Sequence, residues 1–369
     1  KLEYERKQNY KIGSIDAILN TIKYNLIATD YLLKIWGNDN KKTLSDINLE
    51  SFYKYVYAYY LKKYNQDELS CLIKYLVLYS FGIEFIKTDT CSTSIISFEE
   101  DGLIFNDKSL YYFEHIDFAN LLLNAYKIEK KILDNNFSFD NLLQYFNEIN
   151  HFTIDETRLA IQVANVFYMD FKYELSLEIL NKTIKSINNK SIDKITQFNL
   201  NHLMAINHRR LYNIEQSLNF YNNAYNNLLE SDRSYLKNAL TAKDINNLNF
   251  KKLKSYEIFE LINIARFLSN YGIAYERKYD TKNALKLHFL SINLLDKILS
   301  DNLIDKEYGN ILITTIITLK INLNNSIGRC YEVDNKFAKS LSYYKKGIVI
   351  AEDYKITDAI IPLIQNNIG

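Results

Sequence analysis

The chain has 369 residues, Lys+Arg 45 against Asp+Glu 44 and a net charge of +1. That length can bury a large core in two or three domain-sized units, and the charge balance gives no global basic field for nucleic acid. One proline and nine glycines exclude a turn-rich sandwich, barrel or doubly wound sheet and favour long helices.

Cys71, Cys91 and Cys330 stand far apart without CxxC or Cys/His spacing, which argues for a reducing, cytoplasmic setting without structural zinc. No apolar run approaches the roughly 18 residues of a membrane span, and Lys1–Ile12 is too charged for a signal peptide.

In chain order, apolar periodicity predicts helices near Ile15–Trp36, Leu44–Lys62 and Glu68–Phe81. The run "FYKYVYAYYLKKY" (Phe52–Tyr64) puts aromatics around most of a helix, which suits packing better than base stacking. "SIISFEEDGLIFNDKSLYYFEH" (Ser94–His115) then breaks the pattern with short β-branched and aromatic runs. It predicts two or three short strands with a tight turn at Asn106-Asp107. A helix from about Ile116 to Leu133 and a shorter one near Phe139–Ile149 follow. Residues 1–150 therefore read as a helical N-terminal region with a β-hairpin near 94–113, and residues 151–369 as a second region built differently.

That second region repeats. "QVANVFYMDFKYELSLEILNKTI" (Gln162–Ile184), "NYGIAYERKYDTKNALKLHFLSI" (Asn270–Ile292) and "NSIGRCYEVDNKFAKSLSYYKKGI" (Asn325–Ile348) share one spacing. A small residue (Ala164, Gly272, Gly328) is followed three residues on by an aromatic (Phe167, Tyr275, Tyr331) and nine further on by another small residue (Ser176, Ala284, Ser340). Met204–Tyr225 is a weaker copy with Ala205 and Ser217 in register and His208 at the aromatic position. Small residues at these points let two helices of a hairpin approach closely, and one hairpin cannot bury its apolar face alone.

The pattern resembles the tetratricopeptide repeat, which implies an all-α fold: a right-handed solenoid of helical hairpins over 151–369. It departs from that family in two ways. The consensus Trp is missing, and repeat starts near Thr157, Phe198, Ala265, Ile321 and Pro362 are 41, 67, 56 and 41 residues apart rather than about 34. "LIQNNIG" (Leu363–Gly369) matches half of a further first helix, so the expectation is a solenoid incomplete at its C-terminus. The hairpin followed by "YYFEHIDFANLLLNAY", with Gly102-Leu103-Ile104 and then Tyr111, Phe113 and His115, resembles the winged-helix segment between ATPase core and repeat arm in STAND-type, NLR-like signalling NTPases.

No Gly-x-x-x-x-Gly-Lys-[Ser/Thr] occurs, so on that resemblance a nucleotide site would lie upstream of Lys1. His151, His202, His208 and His288 form no metal-ligand spacing; His202 and His208 are about 240° apart around a helix. Glu99-Glu100-Asp101 reads as a solvated turn. No catalytic residue, metal or cofactor is expected.

Binding is the better reading. In tetratricopeptide solenoids the first helix of each hairpin lines the concave face, and the resemblance places Arg158, Gln162 and Asn165 there from the first repeat. It adds His202 and Arg209 from the second, Arg266 and Asn270 from the third, Asn325 and Arg329 from the fourth, and Asn366 with Asn367 from the last. Amides can serve a peptide backbone and arginines can fork onto a carboxylate, although the family's carboxylate clamp is not reproduced. The expected function is a non-catalytic protein- or peptide-binding sensor or scaffold, the arm of a larger signalling protein. The alternative is a stand-alone peptide-pheromone receptor of the RRNPP type, whose N-terminal helix-turn-helix is not found in Lys1–Asn65. An enzyme with a site in the first 150 residues ranks below both. Expected partners are a protein or peptide ligand, with homo-oligomerisation left open and neither membrane nor nucleic acid.

Overall fold

The computed structural model describes residues 53–54, 56–81, 83, 85–86, 94–107, 110–113, 116–132, 137–148, 152–187, 192–242, 245–248, 250, 253–301, 309–356 and 360–368. It is mostly helical and divides into two compact units, Lys1–Ile187 and Asn188–Gly369. The helix expected near Ile15–Trp36 lies outside the described residues.

In the first unit a π-helical turn, Tyr57–Leu61, ends the Tyr-rich run. Helix α1 (Gln66–Ser80) starts at a reciprocal cap, with Asn65 Oδ1 accepting from the Glu68 amide and Glu68 accepting from the Asn65 amide. Strand β1 (Phe85–Ile86), helix α2 (Ser94–Glu100), strands β2 (Ile104–Asp107) and β3 (Leu110–Phe113), and helices α3 (Ile116–Glu129) and α4 (Phe137–Glu148) follow. The strands form one antiparallel sheet in the order β1-β3-β2. Leu72, Tyr75 and Leu76 of α1 and Phe118 and Leu122 of α3 are buried where those helices pack.

The hairpin is shorter than the sequence suggests. Ser94–Glu100, read as strand, is helix α2, because Ile95 and Phe98 fall three apart on one face and both are buried. Gly102, at φ +67°, stops that helix in the left-handed geometry glycine adopts without penalty. Asn106 and Asp107 are strand residues paired with Tyr111 and Leu110, not the turn. Cys71 is disulfide-bonded and Cys330 is a free buried thiol, so the three cysteines are not all thiols as the spacing implied.

The first unit ends with a helical hairpin, α5 (Ile154–Met169) and α6 (Tyr173–Ser186). Three more hairpins make up most of the second unit: α7 (Lys194–Arg210) with α8 (Ile214–Glu230), α10 (Ser255–Arg277) with α11 (Thr281–Ser300), and α12 (Gly309–Val333) with α13 (Phe337–Asp353). Short α9 (Ser234–Thr241) follows α8, and α14 (Ile360–Ile368) packs Ile364 into a cluster with Ile317, Ile321 and Tyr344.

All four hairpins turn at one register. The amides of Lys172, Asn213, Asp280 and Lys336 donate to the carbonyls of Phe167, His208, Tyr275 and Tyr331 at 2.8–3.0 Å. The residue before each of those donors, Phe171, Tyr212, Tyr279 or Asn335, has φ between +57° and +62°. This is the six-to-one Schellman closure, placed seven residues after Ala164, Ala205, Gly272 and Gly328.

The same small residues set the helix approach. Ser176 Oγ donates to the Ala164 carbonyl at 2.7 Å and Ser217 Oγ to the Ala205 carbonyl at 2.8 Å. A Cβ on Gly272 would lie 2.5 Å from the His288 ring, and one on Gly328 would overlap the Tyr344 ring. Gly272→Ala and Ala284→Leu should each cost roughly 1–3 kcal/mol by overpacking. Chemical denaturation reads the loss, and a neutral result for both would refute the register.

Candidate functional site

The ends of three first helices meet in the second unit. Helices α7, α10 and α12 pack beside one another, and near their C-termini they enclose a cavity of about 840 Å³. Its lining carries five arginines, Arg209, Arg210, Arg266, Arg277 and Arg329, against a single carboxylate, Glu276. Amides and hydroxyls of Asn270, Asn325, Ser269 and Ser326 fill the space between.

Glu276 is already committed. Its Oε2 accepts from Arg329 Nη2 at 2.7 Å and Nε at 3.2 Å, and its Oε1 lies 2.7 Å from His288 Nε2. Burial opposes its ionisation, but the His288 hydrogen bond and the Arg329 charge outweigh it and hold the carboxyl below its ordinary range.

Arg209, Arg266 and Arg277 form no ion pair among the described residues. Arg209 is 5% exposed; one Nη donates to Asn270 Oδ1 at 3.2 Å, while its Nε is buried without an acceptor. Arg277 donates from Nη1 to the Arg209 carbonyl at 2.7 Å and lies 5.0 Å above the Tyr212 ring. Burial, and then the charges of Arg209, Arg210 and Arg329, press the Arg277 guanidinium below its usual pKa against the opposing effect of Tyr212. Arg266 is exposed and makes no ion pair among the described residues. Tyr212 and Tyr279, each 78% exposed and each in the left-handed turn position, stand at the lining's edge.

Of the residues expected to bind, Arg209, Arg266, Asn270, Asn325 and Arg329 come together here. Asn325 is buried and accepts from Asn367 Nδ2 at 3.0 Å, so it also joins α12 to α14. Asn366 is exposed on α14 and outside the lining. Arg158, Gln162 and Asn165 are exposed on one helix, α5, in the first unit. His202 packs among aromatics, with Phe198, Phe267 and Tyr221 ring centres 5.1–6.1 Å away.

Arg210, Glu276, Arg277, Tyr212 and Tyr279 were not anticipated. A signal was present: Arg-x-Tyr recurs at the same repeat offset in Arg210–Tyr212 and Arg277–Tyr279.

Glu276, His288 and Cys330 have donor atoms within 4.8 Å of one another, a spacing a metal could use. A cation there would meet Arg329 already seated on Glu276, and burial and Glu276 push the Cys330 thiol up to about 12. The local charge therefore disfavours a cation. No family model and no curated protein matches the chain.

His202 provides a pH test. Burial first, then the Arg209 and Arg266 charges, lower its pKa to about 3, and its Nε2 is sealed without a partner although part of the residue stays exposed. An unfolded histidine titrates near 6.5, at about the ordinary value. As pH falls from about 6.5 towards 3 the unfolded chain takes a proton that the folded chain refuses, so stability declines. His202→Phe should remove that part of the decline. Melting curves of both proteins from pH 7 to 4 should diverge, and parallel curves would contradict the burial of a neutral ring.

Proposed function

We infer that the chain is a non-catalytic recognition arm, a tetratricopeptide-like solenoid that captures an acidic protein or peptide segment through its first-helix face. The observation that carries this reading is the cavity at the ends of α7, α10 and α12, with five arginines against one carboxylate. Guanidinium forks and amides suit a carboxylate-bearing main chain, and they supply no nucleophile and no general base.

The shared turn register and the small residues of the four hairpins support the repeat assignment. Its stacking then gives the mode of action. A ligand that draws the ends of three first helices together changes the rotation between neighbours, and such rotations add along a stack. Antiparallel β2 and β3 followed by α3 have the element order of the winged segment in STAND-type switches, which favours a sensor arm of a signalling protein.

A peptide array probed with the whole 369-residue chain tests the reading. Acidic sequences should be retained, and Arg266→Glu should abolish that retention without moving the melting temperature, because Arg266 has no ion pair to lose. Equal retention of basic and acidic sequences would overturn it.

A further inference from the structure

The arginine cavity holds more positive charge than one carboxylate ligand would neutralise. Glu276 is taken by Arg329 and His288, and no other acidic side chain lines the space among the described residues. A carboxylate brings one negative charge, whereas a phosphoryl group brings about 1.5 to 2 and three acceptor oxygens.

We propose that this cavity seats the phosphoryl group of a ligand that also carries a planar ring, with Arg209, Arg266 and Arg277 around the phosphate and Tyr279 against the ring. The proposal rests on the cavity being a ligand seat, as read above.

Three observations support it. First, Arg209 is buried at 5% exposure with its Nε lacking an acceptor. One Nη is tied to Asn270, which fixes the guanidinium and its charge in the cavity wall.

Second, Arg277 is held without losing its charge. Its contacts are a main-chain carbonyl and the Tyr212 face, so the guanidinium is fixed in place while its positive charge stays free for an anion. The neighbouring Arg209, Arg210 and Arg329 charges act against it, and a phosphate dianion among them would relieve that repulsion.

Third, Tyr212 and Tyr279 keep left-handed backbone at φ +61° and +62° while exposing 78% of their surface. Neither ring is needed for the core; Arg277 lies over one face of Tyr212, and Tyr279 is available for stacking on a flat ring. The volume of about 840 Å³ is too large for phosphate alone and falls within the roughly 300–1,000 Å³ of small-ligand sites. A nucleotide and a phosphorylated tyrosine side chain of a peptide share this chemistry.

Isothermal titration on the whole chain separates them with four probes: ADP, a phosphotyrosine peptide, the same peptide with glutamate in place of the phosphotyrosine, and citrate. A phosphate-bearing probe should bind at least about tenfold more tightly than the glutamate peptide. Arg266→Ala and Tyr279→Gly should each weaken it about tenfold while the melting temperature holds or rises. Tighter ADP identifies a free nucleotide as the source, and a tighter phosphopeptide identifies a modified segment. If the glutamate peptide or citrate equals the phosphate probes, the phosphate assignment falls and the acidic-peptide reading survives. If no probe binds, both fall. Phosphate binding unchanged in Arg266→Ala and Arg277→Gln would place the anion elsewhere and overturn the proposal.

Discussion

Two helices of a hairpin can approach closely only where at least one of them carries a small residue, and the second unit is organised around places that meet this condition. Ser217 reaches the Ala205 carbonyl, His288 fills the space over Gly272, and Tyr344 fills the space over Gly328. The tight contact fixes the axial register of each hairpin. With register fixed, the first helix must end seven residues later, in a Schellman closure whose left-handed residue is Tyr212, Tyr279 or Asn335. The last turns of α7, α10 and α12 therefore point their side chains into shared space. Because Arg209, Arg210, Arg277 and Arg329 sit in or near those turns, the arginine cavity follows from the spacing that packs the helices.

Charge at those ends is partly favourable for the helices themselves. Cations near a helix C-terminus interact with its exposed carbonyls, by about 0.3–1 kcal/mol each at a surface. That gain explains one arginine per helix end more easily than a convergence of several. Glu276 is the one carboxylate of the lining among the described residues, and it pairs with Arg329. Its second oxygen meets the buried His288, which in turn occupies the hollow over Gly272. Glu276 thus links the arginine-lined surface to the packing contact beneath it. Most of the cavity wall is built on helices, with Tyr212 and Tyr279 added by the turns.

The sequence read well where spacing carried the information. The Ala164–Ser176 and Ala205–Ser217 intervals named pairs that do touch, and α1, α3 and α4 fall close to their expected bounds. Local signals failed at Ser94–Glu100, where β-branched Ile95 and Ile96 look like strand while Ile95 and Phe98 share a helical face. The site was legible by halves. Arg209, Arg266 and Arg329 could be placed on first helices, but each arginine's freedom depends on which carboxylates fold near it. That is a tertiary fact, and Glu276 beside Arg329, 53 residues away, illustrates it. His202 was misleading for a related reason: its position faces a groove in the repeat pattern, yet Phe198 and Phe267 close over it.

Local rules are broken more densely at the cavity than in the helical bodies around it. A bulky residue in left-handed geometry costs on the order of 1–2 kcal/mol, where glycine or asparagine would cost little. Phe171, Tyr212 and Tyr279 all accept that cost and expose 77–78% of their surface, whereas the fourth hairpin uses Asn335. Strain alone is no mark of a site, because Phe171 has it without arginines of its own helix end: its neighbours there are Met169, Asp170 and Lys172. At Tyr212 and Tyr279 the strain coincides with Arg209, Arg210 and Arg277, and with a buried Nε that has no acceptor. Packing does not need the exposed rings, and helix-end electrostatics does not need clustered guanidiniums. A bound anion with a flat neighbour would satisfy both departures at once, because it adds the missing counter-charge and covers the rings. An anion among the arginines would therefore lessen their mutual repulsion, while the left-handed turns stay as the hairpins set them.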